Sequence, residues 1–138
     1  LLVGHGGLGS GNSSYGNLQF KLIRDGLTNV RIAVLENAPY VADVAMPWEW
    51  LDGKRPNTIY VHPLLLVLGD HAQNDLFGDE EDSVINELAN YGYEVKPIHS
   101  ALGEYEAIQD IFRQHVQDCI DDLYGKRSTH RPTIPNIK

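Results

Sequence analysis

The chain has 138 residues, 42% of them hydrophobic, a formal net charge of −8 and a single cysteine. That size and composition fit one globular domain with a real core. The scattered Lys and Arg argue against a nucleic-acid surface. No apolar stretch approaches the roughly 20 residues of a membrane span, and one cysteine leaves neither an internal disulfide nor a thiolate-rich zinc site.

Strand and helix signals alternate along the chain. Leu1–Val3 opens as a strand, followed by a Gly/Ser-rich loop from Gly4 to Ser14. The spacing predicts a helix over Tyr15–Arg24 with Leu18, Leu22 and Ile23 inward, ended by Gly26. Val30–Leu35 reads as a buried strand, and Asn37-Ala38-Pro39 as a break. A helix over Tyr40–Leu51 follows, bent or divided at Pro47 and closed by Asp52-Gly53. Thr58–Leu68 is the strongest strand signal, a nearly continuous apolar run of the kind covered on both faces. Pro63 inside it marks a bulge or the strand's entry. Gly69–Asp82 reads as a polar, acidic loop, in which the run Asp79–Asp82 is a helix-entry charge cluster. Ser83–Asn90 is expected to be helical, with Asp82 or Ser83 as N-cap, and Tyr93–Ile98 to be a fourth strand. The last helix, Glu104–Tyr124, carries Ile108, Ile111, Phe112, Val116, Cys119, Ile120 and Leu123 at helical spacing and ends at Gly125. Cys119 and His115 on that stripe are read as packed residues, and Trp48 and Trp50 as core or cleft residues. The sequence signals therefore divide the chain into an α/β domain over residues 1–125 and an extended tail over 126–138. The strand opening at Leu1 leads us to expect that residues precede it.

This order predicts an α/β fold, a doubly wound parallel sheet of about four strands with helices on both faces. In the usual strand order the first strand lies between the second and the third. His5, Glu36 and His71 each follow an apolar run, so all three fall at carboxyl ends of strands, where open α/β sheets bind ligands. Neighbouring strands about 4.8 Å apart would let them converge on one ion. Two imidazoles and a carboxylate suit a divalent transition metal and leave coordination positions open for chemistry. Asp70, beside His71, is placed to orient it from the second shell.

A rival reading comes from Gly4-His5-Gly6-Gly7-Leu8-Gly9, which matches the dinucleotide fingerprint G-x-G-x-x-G, with Glu36 as the ribose-binding acid. That reading implies a dinucleotide-dependent oxidoreductase. Against it, Ser10–Ser14 separate the motif from the helix, and Glu36 lies later than the usual distance of about 20 residues. A plain Gly-rich turn is the third reading. His62, His99 and His130 carry weaker signals.

Four segments together resemble one family. They are "GHG" after the first strand, "LENAP" after the second, "HPLLLVLGDHAQND" at the third and "LGEYEAIQDIFRQH" at the last helix. The family is that of the anaerobic (class II) sirohydrochlorin cobaltochelatases, and the resemblance covers the carboxyl-terminal half of such an enzyme. It implies a chelatase-like fold and a lyase that inserts Co2+ into a sirohydrochlorin-type tetrapyrrole in cobalamin biosynthesis. By motif match the family's metal ligands fall on His5, Glu36 and His71, with His5 or Glu36 accepting the pyrrole protons. The divalent metal is then a substrate, Co2+ first, with Ni2+, Fe2+ and Zn2+ as alternatives, and no separate cofactor is expected. The partners implied are the tetrapyrrole and an amino-terminal half of the same polypeptide, with homo-oligomerisation left open and neither nucleic acid nor membrane involved. The compartment implied is the cytoplasm, the periplasm being the alternative. The sequence departs from the family at Asn37-Ala38, where Gly-Tyr is common. The substrate's many carboxylates would require local cations, such as Arg24, Lys54 and Arg55, or the other half. A metal- or haem-binding module without turnover is the non-enzymatic alternative.

Overall fold

The aliphatic runs build one sheet. Its strands are β1 (Leu2–Gly6), β2 (Ile32–Glu36), β3 (Thr58–Pro63) and β4 (Glu94–Pro97). They lie in the order β2-β1-β3-β4 and are all parallel. The structure is a computed structural model and describes residues 1–45 and 53–125. Between the strands run α1 (Ser13–Arg24), α2 (Val41–Ala45) and α3 (Val84–Asn90), and α4 (Glu106–Leu123) follows β4. By internal contacts the chain divides into two units, Leu1–Gly103 and Glu104–Lys138. Trp48, Trp50, the bend expected at Pro47 and the tail after Gly125 lie outside the described residues.

Side chains alternate between sheet faces, and paired residues on parallel neighbours share a face. Val3 and Ala33 are paired, and together with Ile59 and Val61 they pack with Val41, Ala45, Val84 and Leu88 from α2 and α3. Burying each of the Val, Ile and Leu side chains among them contributes roughly 1.5–3 kcal/mol. The opposite face carries α1, whose Tyr15 ring lies over Gly4. Gln19 of α1 fastens it to the edge strand. Its amide donates to the Val30 carbonyl at 3.0 Å and accepts from the Ile32 N–H at 2.9 Å. Helices thus cover both faces, and the first strand lies between the second and third, as expected.

Three expectations fail in instructive ways. Pro63 is neither a bulge nor an entry but the last residue of β3, still paired with Val3. The chain then turns away, so Leu64–Leu68 is not strand, and Leu66 and Val67 are exposed. Their apolarity mimics a buried strand, but Leu65 and Leu66 use their carbonyls to accept from Leu102 and Gly103 N–H. Second, the acidic loop contains a π-helical turn, His71–Leu76, with the Phe77 N–H bonded to the Ala72 carbonyl at 3.2 Å. Ala72 and Leu76 are buried on its inner side. Such turns occur frequently at functional sites. Third, Cys119 and His115 on α4 are exposed, as are Ile111, Phe112, Val116, Ile120 and Leu123. Among the described residues of its own unit, a single helix has no second layer to bury its stripe. At α3 the N-cap is Ser83, in extended conformation.

Candidate metal centre

β1 extends through His5 and Gly6, and Gly6 is paired with Glu36 at the end of β2. That register brings His5 Nδ1 to 3.9 Å from Glu36 Oε2. The separation is below twice a metal–ligand bond of about 2.0–2.2 Å, so one ion can touch both residues. His5 Nδ1 also lies 3.2 Å from the Gly6 carbonyl oxygen. For one ion to be shared with Glu36 the Nδ1 atom must carry the lone pair, which leaves the ring proton on Nε2. Both side chains are about half exposed, 40% and 50%. Their mutual attraction alone therefore adds little stability.

The surrounding loops hold these two strand ends together. Gly6 has φ +83, and a Cβ there would sit 2.1 Å from the Glu36 carbonyl oxygen. A Cβ on Gly4 would sit 2.4 Å from the Tyr15 ring. The Gly6 N–H donates to Tyr15 Oη at 3.3 Å. Both glycines are thus explained by close approach within the protein. A 3-10 turn over Gly9–Asn12 intervenes before α1, so no helix begins inside the Gly-rich motif. Neither feature is what pyrophosphate binding at a helix N-terminus requires.

Two asparagines cross-link the loops. The Asn12 amide donates to the Glu36 and Ala38 carbonyls at 3.0 and 2.9 Å, and the Asn37 amide donates to the Gly7 carbonyl at 3.0 Å. Asn37 adopts φ +67, a left-handed conformation in which asparagine is enriched. Sequence reasoning missed both. Asn12 carries no signal within a Gly/Ser run, whereas Asn37 before Ala38-Pro39 could have been read as a left-handed turn residue.

His71 opens the π-helical turn on the carboxyl side of β3. Its side chain lies outside the described residues, and among those that are described no group of three or more metal-binding side chains is assembled. The turn itself lies next to β2. Asp75 lines a recess of about 240 Å³ together with Leu35, Glu36 and Asp82. Carboxylates on one wall raise the local concentration of cations. Asp70 is exposed at the N-cap of the turn and makes no side-chain capping bond. Arg24, Lys54 and Arg55 are not at this edge. Arg24 pairs with Asp25 at the far end of α1, and Lys54 and Arg55 precede β3, where Arg55 lies over the Tyr93 ring at 4.4 Å.

The family model for cobalt chelatase (CbiK) matches residues 1–121. The chain belongs to the cobalt chelatase family. A sirohydrochlorin cobaltochelatase from Salmonella typhimurium (strain LT2) is 28% identical over 121 residues, which are 88% of this chain and 44% of that relative. The chain therefore spans less than half the length of that relative. Membership accounts for the four matched segments together, which the dinucleotide reading does not. No described helix is long and apolar enough to cross a membrane.

Proposed function

We propose that this chain takes part in inserting Co2+ into a sirohydrochlorin-type tetrapyrrole for cobalamin biosynthesis, acting as the metal-binding half of a cobaltochelatase, a lyase. The observation that carries this reading is the pairing of His5 with Glu36 at 3.9 Å on adjacent strand ends, in a chain of the cobalt chelatase family. His5, Glu36 and His71 hold the incoming ion, and Asp70 orients His71. Two imidazoles and one carboxylate leave positions for the macrocycle nitrogens. Insertion releases two pyrrole protons, and Glu36 as carboxylate or His5 as neutral imidazole accepts them one at a time and passes each to solvent.

A planar macrocycle has two faces, and one sheet edge covers one of them. The other face is assigned to a second α/β half of the same polypeptide, with a second copy of this chain as the alternative. The working compartment is taken to be the cytoplasm. The test is an insertion assay on the intact protein with Co2+, Ni2+, Fe2+ and Zn2+, read by the absorbance change of the macrocycle. Co2+ insertion abolished by His5→Ala supports the reading. Absence of insertion with every metal, or undiminished insertion by His5→Ala, overturns it.

A further inference from the structure

His99 lies two residues beyond β4, on the carboxyl edge of the sheet that also carries His5 and Glu36. Its ring packs on Phe77, with centroids 4.4 Å apart and planes inclined by 54°. The two rings line a recess of about 350 Å³ with Leu68, Ala72 and Gln73. Ala72, the residue after His71, places this recess on the same π-helical turn that His71 opens. Its walls are largely apolar, and His99 itself is exposed rather than spent in the core.

The charge pattern gives this histidine its significance. No Lys or Arg occurs in the segments 5–20, 36–53, 63–95 or 98–105, which between them contain the described residues that leave the carboxyl ends of the strands. The basic side chains there are His5, His71 and His99. The proposed function commits two of these to the metal. The substrate in that reading is a macrocycle rimmed with carboxylates, and the same edge is rich in Asp and Glu, which repel it. Among the described residues of the unit Leu1–Gly103, His99 is then the one basic group on this edge left to receive a substrate carboxylate.

We propose that His99 is a substrate-binding residue. Its imidazole N–H donates to a peripheral carboxylate of the tetrapyrrole, while Leu68, Ala72 and Phe77 support the apolar edge of the adjoining pyrrole ring. Packing against Phe77 restricts the imidazole before substrate arrives, which lowers the entropy lost on binding. This inference rests on the proposed tetrapyrrole substrate and adds to it the place where the rim of that substrate is held.

The test uses the intact protein, metal-free sirohydrochlorin and its fully methyl-esterified form, with binding followed by fluorescence and Co2+ binding by calorimetry. His99→Ala should bind the free acid about tenfold more weakly, the loss of one charge-assisted hydrogen bond. Affinity for the ester and for Co2+ should not change. His99→Gln, which keeps an N–H donor, should recover most of the affinity and guards against a misfolded alanine variant. Equal losses for acid and ester would assign His99 to packing and overturn the inference. Unchanged binding of the acid by His99→Ala would overturn it while leaving the proposed function standing. Failure of the unsubstituted protein to bind the acid would overturn both.

Discussion

Replacing Gly6 with Ala isolates the contact that joins the two strand ends of the candidate metal centre. The new Cβ would lie 2.1 Å from the Glu36 carbonyl oxygen, where separations under 3.0 Å are essentially never seen, so the strand ends must part by about 0.9 Å. The three nearest atoms are all Glu36 backbone, which cannot swing aside as a flexible side chain would. Holding an L-residue at φ +83 adds roughly 1–2 kcal/mol. Overpacking typically adds about 1–3 kcal/mol more. A combined loss of about 2–5 kcal/mol lowers a urea midpoint by roughly 1–2.5 M at a slope of about 2 kcal/mol/M for a small domain. Metal binding should weaken as well, by at least about tenfold, because displacements near 1 Å at a reacting centre can reduce rates by about 10²-fold. Urea unfolding followed by circular dichroism and Co2+ titration by calorimetry measure the two effects separately. Gly7→Ala is the control, since a Cβ there meets nothing within 4 Å. Its stability should stay within about 0.5 kcal/mol of the parent. Wild-type behaviour of Gly6→Ala in both assays would show that the strand ends are not in close contact, and an equal loss in Gly7→Ala would show that the whole loop is sensitive for another reason.

Three further outcomes are expected. His71→Ala should weaken Co2+ binding on the order of 100-fold, at least the effect of losing an outer-shell partner, while His115→Ala should bind normally; equal affinities in calorimetry would remove His71 from the ligand set. Asn12→Ala loses two amide hydrogen bonds to the Glu36 and Ala38 carbonyls, and should lower stability by about 1 kcal/mol and Co2+ affinity severalfold. An unchanged affinity would confine Asn12 to structure. The Glu94 carboxyl is held below the usual range by the Thr58 hydroxyl first and then by Lys96. A depressed folded-state pKa stabilises above the unfolded pKa and is lost as pH falls through the folded one, so the melting temperature of Glu94→Gln should lie slightly below the parent's at neutral pH and meet it in strong acid. A gap that persists in acid would refute the linkage.

The parallel sheet was legible because β-branched and aliphatic runs alternate with helix periodicity, and because handedness and strand order follow from sheet physics. The neighbouring positions of His5 and Glu36 were legible for the same reason, since both end adjacent strands. What sequence could not reveal was where apolarity stops meaning burial. Leu64–Leu68 looks like the interior of a strand, yet Pro63 closes the ladder before it, and nothing in composition separates a strand from an apolar crossing loop. The π-helical turn over His71–Leu76 was hidden because its buried pair, Ala72 and Leu76, is set among Asp, Asn and Gln, residues that favour turns. The hydrogen bonds of Asn12 and Asn37 depend on two loops meeting, which is a tertiary fact.

The exposure of the centre bears directly on its chemistry. A resident structural metal is typically enclosed by a full set of ligands. Here His5 and Glu36 stand at about half exposure, and the bonds that fix their loops run from asparagine amides to backbone carbonyls. On the proposed reading, fixing the loops while leaving His5 and Glu36 open satisfies two opposed demands of insertion. The ion must find its ligands already in place, or capture is slow. It must also leave them for the macrocycle, so no closed ligand cage can hold it. The acidic recess beside Glu36 favours capture by concentrating cations, and the same charge disfavours a carboxylate-rimmed substrate. On the proposed reading the metal and the macrocycle therefore meet this edge at different places, the metal at the β1–β2 ends and the substrate rim at the apolar recess of Phe77 and His99 beyond β4.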